Sequence, residues 1–280
     1  MNIQELHKRI LYPVVRVRTQ KAGGSGTIIY SKPDKQGKYE NFVMTCAHVV
    51  DSAISTKKDW DSVLKKKIEK EFLQEVNIEV FDYVYLSTVD SSKSYRANIL
   101  AYDKHHDIAI LSVDTPKPFP YVVELIPFEE IKQIRLFTPI YTAGCSLLHD
   151  PFATTGQITY MKELIENRTY YMTSGNAIFG NSGVAVYLAD TGQQIGITAR
   201  ITGMPSDLFG FGISFDWMTW MSFMVSPDRI YQFFNEQELK FLYDPSDTFE
   251  SAMKRREKKQ KEALMARRME EGEPEDKEEY

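Results

Sequence analysis

Short alternations of apolar and polar residues dominate the chain from about residue 12 to residue 216. Apolar or β-branched residues separated by one position recur at Val15 and Val17, Ile28 and Tyr30, Val43 and Thr45, Ile108 and Ile110, Val184 and Val186, and Ile195 and Ile197. A period of two is typical of a strand with one buried face. Clusters of Gly, Pro, Asn and Asp separate these runs, as at residues 32–38 and 203–207, and predict turns. The pattern predicts an all-β fold with helical additions.

A helical pattern interrupts the strands between residues 57 and 74. Apolar residues recur there at helical spacing, namely Trp60, Val63, Leu64, Ile68 and Phe72. Lysines occupy the opposite face, namely Lys57, Lys58, Lys65, Lys66, Lys67 and Lys70. Because such an apolar stripe normally packs on a core, we predict an inserted amphipathic helix at residues 57–74. Its basic face either is solvated or contacts an anionic substrate or surface.

The sequence after residue 225 also favours helices. Ser226-Pro227-Asp228 supplies an N-cap, a proline for the first helical position and an acidic first turn. Apolar residues follow on one helical face, namely Ile230, Phe233, Phe234 and Phe241. Residues 248–271 then form a polar helical pattern with a basic block, and residues 270–280 are acidic. Since little apolar surface offsets the entropy of ordering, we expect residues 244–280 to form a charged, partly disordered tail. The alternative is a helix that binds a protein partner or self-associates.

Composition and charge narrow the class of protein. The 280 residues are 42% hydrophobic, which is enough for one large core or two medium ones. The formal net charge of -5 gives no general reason to expect a nucleic-acid partner. The polar first nine residues predict no secretory signal, and no apolar run reaches the roughly 18 residues of a membrane span. Cys46 and Cys145 lie in apolar, strand-like contexts, so we expect buried thiols and a cytoplasmic protein.

Three short motifs carry the candidate chemistry, in the order His, Asp, Ser. They are Thr45-Cys46-Ala47-His48, Asp107-Ile108-Ala109-Ile110-Leu111 and Gly180-Asn181-Ser182-Gly183. A serine hydroxyl is a weak nucleophile at neutral pH, so it needs a base that takes its proton and a carboxylate that orients this base. We assign Ser182 as the nucleophile, His48 as the general base and then acid, and Asp107 as the orienting carboxylate. The backbone N–H groups of Gly180 and Ser182 would form the oxyanion hole, with glycine relieving the tight turn.

This combination of motifs resembles the trypsin-like peptidases, and among them the bacterial Deg-type proteases and the glutamyl endopeptidases. The resemblance covers roughly residues 10–240. It implies a chymotrypsin-like fold of two six-stranded antiparallel β-barrels, at residues 1–125 and 126–243, with the active site in the cleft between them. It also implies a serine endopeptidase that hydrolyses peptide bonds of protein or peptide substrates without a cofactor. The tail is too short and too charged for the PDZ domain that many Deg-type proteases carry.

The resemblance further implies a substrate pocket lined by Asn176, Thr198, Ala199, Arg200, Phe211 and Ile213. No acidic residue occupies the base of this pocket, which argues against a preference for Arg or Lys. Arg200 would favour an acidic side chain if it turned into the pocket, whereas Phe211 and Ile213 would favour a small or medium apolar one. We expect the apolar preference.

The histidines next to Asp107 do not indicate a metal. Because successive strand residues face opposite ways, His105 and His106 do not form a metal site with Asp107, and we expect surface or turn positions for both. A second class of function stays open beside the endopeptidase. It is a catalytically latent or inactive protease-fold scaffold that binds a protein partner, through the inserted segment and the charged tail.

Overall fold

The strands indicated by the alternation close into two antiparallel barrels of six strands each. The computed structural model describes residues 1–61, 66–175, 182–206 and 214–270. Contacts divide the chain into one unit formed by Met1–Ser55 and Leu73–Phe233, which holds both barrels, and a second unit formed by Thr56–Phe72 and Phe234–Tyr280. The predicted all-β, double-barrel class is confirmed.

The first barrel is built from six of the eight strands in the N-terminal part of the chain. These eight strands are β1 (Val14–Arg18), β2 (Gly23–Pro33), β3 (Tyr39–Thr45), β4 (Ile54–Asp61), β5 (Lys66–Leu73), β6 (Val76–Val84), β7 (Thr88–Asp103) and β8 (Ile108–Val113). The barrel closes in the order β1-β2-β3-β8-β7-β6, and β4 pairs with β5 in a separate hairpin. Its core consists of fully buried apolar side chains, which include Ile28, Phe42, Met44, Ile78, Ile108, Ile110 and Leu111.

The second barrel follows after residue 138. Its strands are β9 (Pro139–Gly144), β10 (Phe152–Ile165), β11 (Arg168–Thr173), β12 (Ala185–Leu188), β13 (Gln194–Ser206) and β14 (Ser214–Val225). They close in the order β9-β10-β11-β14-β13-β12. Its fully buried side chains include Tyr170, Tyr187, Ile195, Ile197, Met224 and Val225. The predicted boundary at residues 125 and 126 falls between the two sets of strands, and the domain limits themselves stay a prediction.

The described residues also form helices. The α-helices are α1 (Ile3–Leu6), which continues into a π-helical turn (His7–Leu11), α2 (Ala47–Val50), α3 (Pro227–Glu236) and α4 (Phe249–Glu270). Single 3-10 turns occur at Asp51–Ala53, Phe128–Gln133, Ser146–Leu148 and Lys240–Leu242. Helix α3 begins at Pro227, where the sequence predicted a helix start. Among the described helices, none combines the length and the apolar character that crossing a membrane requires.

The prediction of an inserted helix at residues 57–74 is wrong. The segment forms the hairpin of β4 and β5, whose base is closed by the Gln74 N–H donating to the Ala53 carbonyl at 2.8 Å. Trp60 and Phe72 are largely exposed, so the predicted stripe is not buried. A lysine-rich helix without a buried stripe is marginal, whereas the hairpin gains cross-strand pairs. These are Lys70 with Asp59 at 3.0 Å and the Lys57 ammonium over the Phe72 ring at 5.7 Å. Val63, Leu64 and Lys65 lie outside the described residues.

Helix α4 falls within the segment that the sequence predicted as helical. Its basic residues contact the preceding part of the same unit. Arg255 pairs with Asp247 and, at 3.2 Å, with Glu238, while Arg256 donates to the Gln237 carbonyl. Phe249 packs edge-on against Phe241, with 5.5 Å between the ring centroids. Part of the basic block therefore stabilises its own chain. The acidic end at residues 271–280 lies outside the described residues, and its disorder stays a prediction.

Phe42 is a fully buried aromatic side chain in the core of the first barrel. We expect Phe42→Ala to lower the free energy of unfolding by about 3–5 kcal/mol, because it removes a fully buried ring and leaves a cavity. The matched control is Phe137→Ala, since the Phe137 side chain is 74% exposed. Chemical denaturation of both variants measures the difference. Equal losses for Phe42→Ala and Phe137→Ala would contradict the assignment of Phe42 to the core.

Candidate active site

Strand pairing in the first barrel brings His48 and Asp107 together. β3 pairs with β8, so that Thr45 lies opposite Ala109. His48 is in α2, three residues after β3, and Asp107 immediately precedes β8. The two side chains therefore leave the barrel at the same end of neighbouring strands. Ser182 lies in the second barrel's part of the chain, three residues before β12.

The three side chains form a continuous hydrogen-bonded chain. His48 Nδ1 lies 2.9 Å from Asp107 Oδ2 and 3.0 Å from Oδ1, and the His48 backbone N–H donates to Oδ1 at 3.1 Å. On the other side of the ring, His48 Nε2 lies 2.6 Å from Ser182 Oγ. When Nδ1 carries the proton and donates a hydrogen bond to Asp107, Nε2 is the nitrogen that accepts a hydrogen bond from the serine hydroxyl.

Exposure to solvent differs along this series of hydrogen-bonded side chains. The His48 side chain is 46% exposed and the Asp107 side chain only 10%. The histidine therefore faces solvent and Ser182 is half-buried, while the carboxylate is shielded. Shielding strengthens the attraction between the carboxylate and an imidazolium, because the local dielectric constant is lower than that of water.

The loop that carries Asp107 is fixed from two directions. Asp103 Oδ1 accepts the N–H groups of His105 and His106 at 2.6 and 3.0 Å. Arg229 of α3 donates to the carbonyls of the same two histidines at 2.9 and 2.5 Å, and its guanidinium lies over the Tyr170 ring at 4.7 Å. These contacts hold Asp107 in a left-handed backbone conformation, with φ at 58°. Both histidines lie in this turn, as predicted, and His106 is buried against Phe233.

The backbone around Ser182 is fixed by both barrels. The Ser25 N–H donates to the Ser182 carbonyl, and the Gly183 N–H donates to the Thr198 carbonyl, both at 2.9 Å. Gly183 has φ at +83°, and a Cβ atom there would lie 2.0 Å from the Ser25 carbonyl oxygen. Only glycine avoids this clash in the left-handed conformation. Gly180, the other residue of the predicted oxyanion hole, lies outside the described residues.

Cys46 lies beside the site as a neutral thiol. Its Sγ atom, a ring nitrogen of His48 and a carboxylate oxygen of Asp107 lie within 4.8 Å of one another, which is close enough for a shared metal ion. Burial, and secondarily the charge of Asp107, raises the pKa of the Cys46 thiol well above its usual range. The thiol is 3.3 Å from the Thr198 carbonyl oxygen. Since a metal binds the thiolate, this environment disfavours a metal ligand. Cys46 and Cys145 are free and buried, as predicted.

A cleft of about 360 Å³ opens beside His48. Its lining residues are His48, Asp51, Lys104, Asp107, Arg168, Ala199 and Arg200. Of the predicted pocket residues, Ala199 and Arg200 therefore reach this cleft, while Thr198 is buried. Asn176, Phe211 and Ile213 lie outside the described residues. Sequence reasoning missed Lys104 and Arg168, and no motif around either residue could have indicated them.

Arg200 is held by an ion pair at the edge of the cleft. Its Nη2 lies 2.6 Å from Glu166 Oε2, and its guanidinium lies over the Tyr170 ring at 5.6 Å. The hydrogen bond raises the pKa of Arg200 and lowers the pKa of Glu166. Arg200 therefore places a positive charge beside His48 and Asp107 in the cleft.

Two antiparallel six-stranded barrels, with a serine, a histidine and an aspartate joined by hydrogen bonds, define the class of chymotrypsin-like proteins. The Trypsin-like peptidase domain matches residues 24–197. The protein belongs to this family. Among curated proteins, no sequence matches this chain significantly.

Three solved structures of similar fold are distant from this chain in sequence. The MamO protease domain from Magnetospirillum magneticum is 14% identical with a TM-score of 0.52, and the match covers 81% of this chain and 98% of that one. An inactive mutant form of Rv3671c from M. tuberculosis H37Rv is 19% identical with a TM-score of 0.50, covering 80% and 85%. The HtrA-type protease AlgW, solved with a tripeptide, is 15% identical with a TM-score of 0.56, covering 85% and 63%. At these identities the likeness concerns the fold.

The glycine after Ser182 provides a test of the local backbone. Gly183 and Gly37 have nearly equal φ angles, of +83° and +82°, but a Cβ at Gly37 would meet no atom within 4 Å. We expect Gly37→Ala to cost about 1–2 kcal/mol from backbone strain alone. Gly183→Ala should cost about 2–5 kcal/mol, because the clash with Ser25 adds to the strain. Chemical denaturation compares the two, and equal costs would contradict the close approach to Ser25.

Proposed function

We propose that the protein is a serine endopeptidase that cleaves peptide bonds through an acyl-enzyme on Ser182. The observation that carries this proposal is the hydrogen-bonded chain from Asp107 through His48 to Ser182, with distances of 2.9 and 2.6 Å. Membership of the trypsin-like peptidase family supports a protein or peptide substrate. The cytoplasmic location and the binding of a partner by the charged tail stay predictions from the sequence.

The geometry supports the following first step. His48 Nε2 takes the hydroxyl proton while Ser182 Oγ attacks the carbonyl carbon of the scissile peptide bond. The resulting imidazolium is stabilised by the charge of Asp107. Both carboxylate oxygens of Asp107 contact His48 Nδ1 and so orient the ring. His48 then gives its proton to the leaving nitrogen, the C–N bond breaks and the new amino terminus departs. An ester between the substrate and Ser182 remains.

Hydrolysis of this ester uses the same residues in reverse. A water molecule loses a proton to His48 Nε2 and attacks the ester carbonyl. His48 returns the proton to Ser182 Oγ as the C–O bond breaks, which releases the carboxyl product and restores the serine. These three side chains supply the nucleophile, the base and the orienting charge, so the reaction needs no cofactor. The donors for the oxyanion are proposed to be the N–H groups of Gly180 and Ser182.

The first test is covalent labelling by a fluorophosphonate, followed by intact mass. We expect the wild type to gain one label and Ser182→Ala to gain none. Ser87→Ala is a matched control, because Ser87 is also hydrogen-bonded to a histidine. Its Oγ atom lies 2.7 Å from His7 Nε2. It should label like the wild type. Absence of labelling and of peptide hydrolysis in the wild type would favour the alternative, a latent or inactive scaffold that binds a partner.

The carboxylate provides a second test of the mechanism. Asp107→Asn preserves the shape of the side chain but not its charge, and an amide that donates to Nδ1 would favour the wrong tautomer of His48. We expect the labelling rate to fall by about 10⁴-fold. A rate near that of the wild type would contradict the role of Asp107 as the orienting carboxylate.

Arg229 is proposed as a positioning residue, because it donates to the two carbonyls just before Asp107 and touches none of the reacting atoms. We expect Arg229→Gln to lower kcat for a peptide substrate by about 10–100-fold through misplacement of Asp107, with little change in KM. Arg229→Lys should restore part of the loss. Arg135→Gln, at an exposed position, is the control. A rise in KM with kcat unchanged would contradict a positioning role.

A further inference from the structure

Three basic side chains from three separate elements line the cleft beside His48. Lys104 follows β7, Arg168 begins β11, and Arg200 lies within β13. The mechanism of peptide hydrolysis uses none of them. Their convergence on a cleft next to the hydrogen-bonded His48 and Asp107 places positive charge where a bound substrate would lie.

The carboxylates that neutralise two of these cations are largely exposed. Lys104 Nζ lies 2.5 Å from Asp51 Oδ1, and 54% of the Asp51 side chain is exposed. Arg200 pairs with Glu166, whose side chain is 63% exposed. Exposed ion pairs are weak, since water and salt compete with them. Both cations are therefore available to an additional carboxylate.

Arg168 lies near the Glu166 carboxylate, whose pKa its charge helps to lower, but it does not form an ion pair with it. Across the part of the chain that the structure describes, Arg168 forms no ion pair, and its buried Nε atom has no hydrogen-bond acceptor. Arg168 lines the cleft, so the rest of its guanidinium has hydrogen-bonding capacity left for a ligand oxygen.

The hairpin between β10 and β11 fixes the position of Arg168. Ile165 pairs with Arg168 across a two-residue turn in which Glu166 and Asn167 have φ of 51° and 61°. Positive φ at both central residues is the type I′ geometry, which matches the twist of the flanking strands. The same turn places Glu166 on Arg200. Arg168 is thus presented to the cleft by a short, well-defined element.

We propose that this cleft is a subsite for an acidic side chain, Asp or Glu, of the peptide substrate near the scissile bond. A carboxylate would accept from the Arg168 guanidinium, whose planar fork suits two parallel hydrogen bonds, while Lys104 and Arg200 supply the surrounding positive potential. The opposing carboxylate of Asp107 is held by His48, and that of Asp51 by Lys104. The inference rests on the proposed peptidase function for its substrate. The predicted apolar preference rests on Phe211 and Ile213, whereas Arg200, which the sequence analysis named as the source of an acidic preference, lines this cleft.

The test separates binding from catalysis. Two fluorescein-labelled peptides of equal length, one with Glu and the other with Gln at the same positions, are titrated into the Ser182→Ala protein and followed by anisotropy. We expect the Glu peptide to bind about tenfold more tightly at low salt. The preference should shrink at about 1 M salt, where the Debye length is about 3 Å. Equal affinities for the two peptides at low salt would overturn the proposal.

Variants identify the side chains responsible. Arg168→Gln should abolish most of the preference for Glu, and Lys104→Gln, which changes an exposed lysine and leaves the barrels intact, should lower it by about threefold. Arg96→Gln is the matched control, because Arg96 is an exposed arginine outside the cleft. A preference that survives both Arg168→Gln and Lys104→Gln would place the acidic subsite elsewhere.

A protein that has the acidic subsite but is not a peptidase would give a different pattern of results. In that case the wild type is not labelled by a fluorophosphonate, yet the Glu peptide still binds better than the Gln peptide to the Ser182→Ala protein. If the enzyme is active, a peptide series with Glu or Gln at each position around the scissile bond identifies the position that occupies the cleft. The expected result is a Glu preference at one position, which Arg168→Gln removes.

Discussion

The carboxylate of Asp107 must be satisfied in a place that water scarcely reaches, and much of the site follows from this constraint. An unpaired carboxylate in such a position is costly. Its oxygens accept from the backbone and the ring of His48, two partners supplied by one residue. Because the pairing of β3 with β8 sets where the two residues leave the barrel, strand register determines whether these hydrogen bonds form. The barrel therefore fixes the tautomer of His48 before any substrate arrives.

The chain contains a second serine–histidine hydrogen bond, and the difference between the two pairs is informative. His7 Nε2 contacts Ser87 Oγ at 2.7 Å, much as His48 contacts Ser182. The other nitrogen of His7 lies 2.6 Å from the Ile3 carbonyl instead of a carboxylate. A carbonyl can fix a tautomer, but it carries no net charge to stabilise an imidazolium. Proximity of serine and histidine is thus insufficient, and the buried charge distinguishes the candidate active site from a structural contact.

Sequence reasoning succeeded where a local pattern determines the structure. The alternation predicted the barrel strands. Three short motifs singled out His48, Asp107 and Ser182, whose side chains the fold brings within hydrogen-bonding distance, and their catalytic roles stay a prediction. It failed at residues 57–74, because helical spacing alone does not show whether a stripe finds a surface to bury it. Arg168 and Arg229 escaped notice for a related reason. Arg229 contacts residues that lie more than 60 positions earlier in the chain, and Arg168 lines a cleft. A single arginine in a strand or helix carries no sequence signal of such contacts.

The contact between Arg229 and the loop before Asp107 has a consequence for biosynthesis. Both barrels are complete in sequence by Val225, but the arginine that restrains the loop is synthesised after them. During translation, the nascent chain can therefore form its strands while the carboxylate loop still lacks this restraint. The order of residues along the chain therefore places this restraint on the Asp107 loop after the last barrel strand.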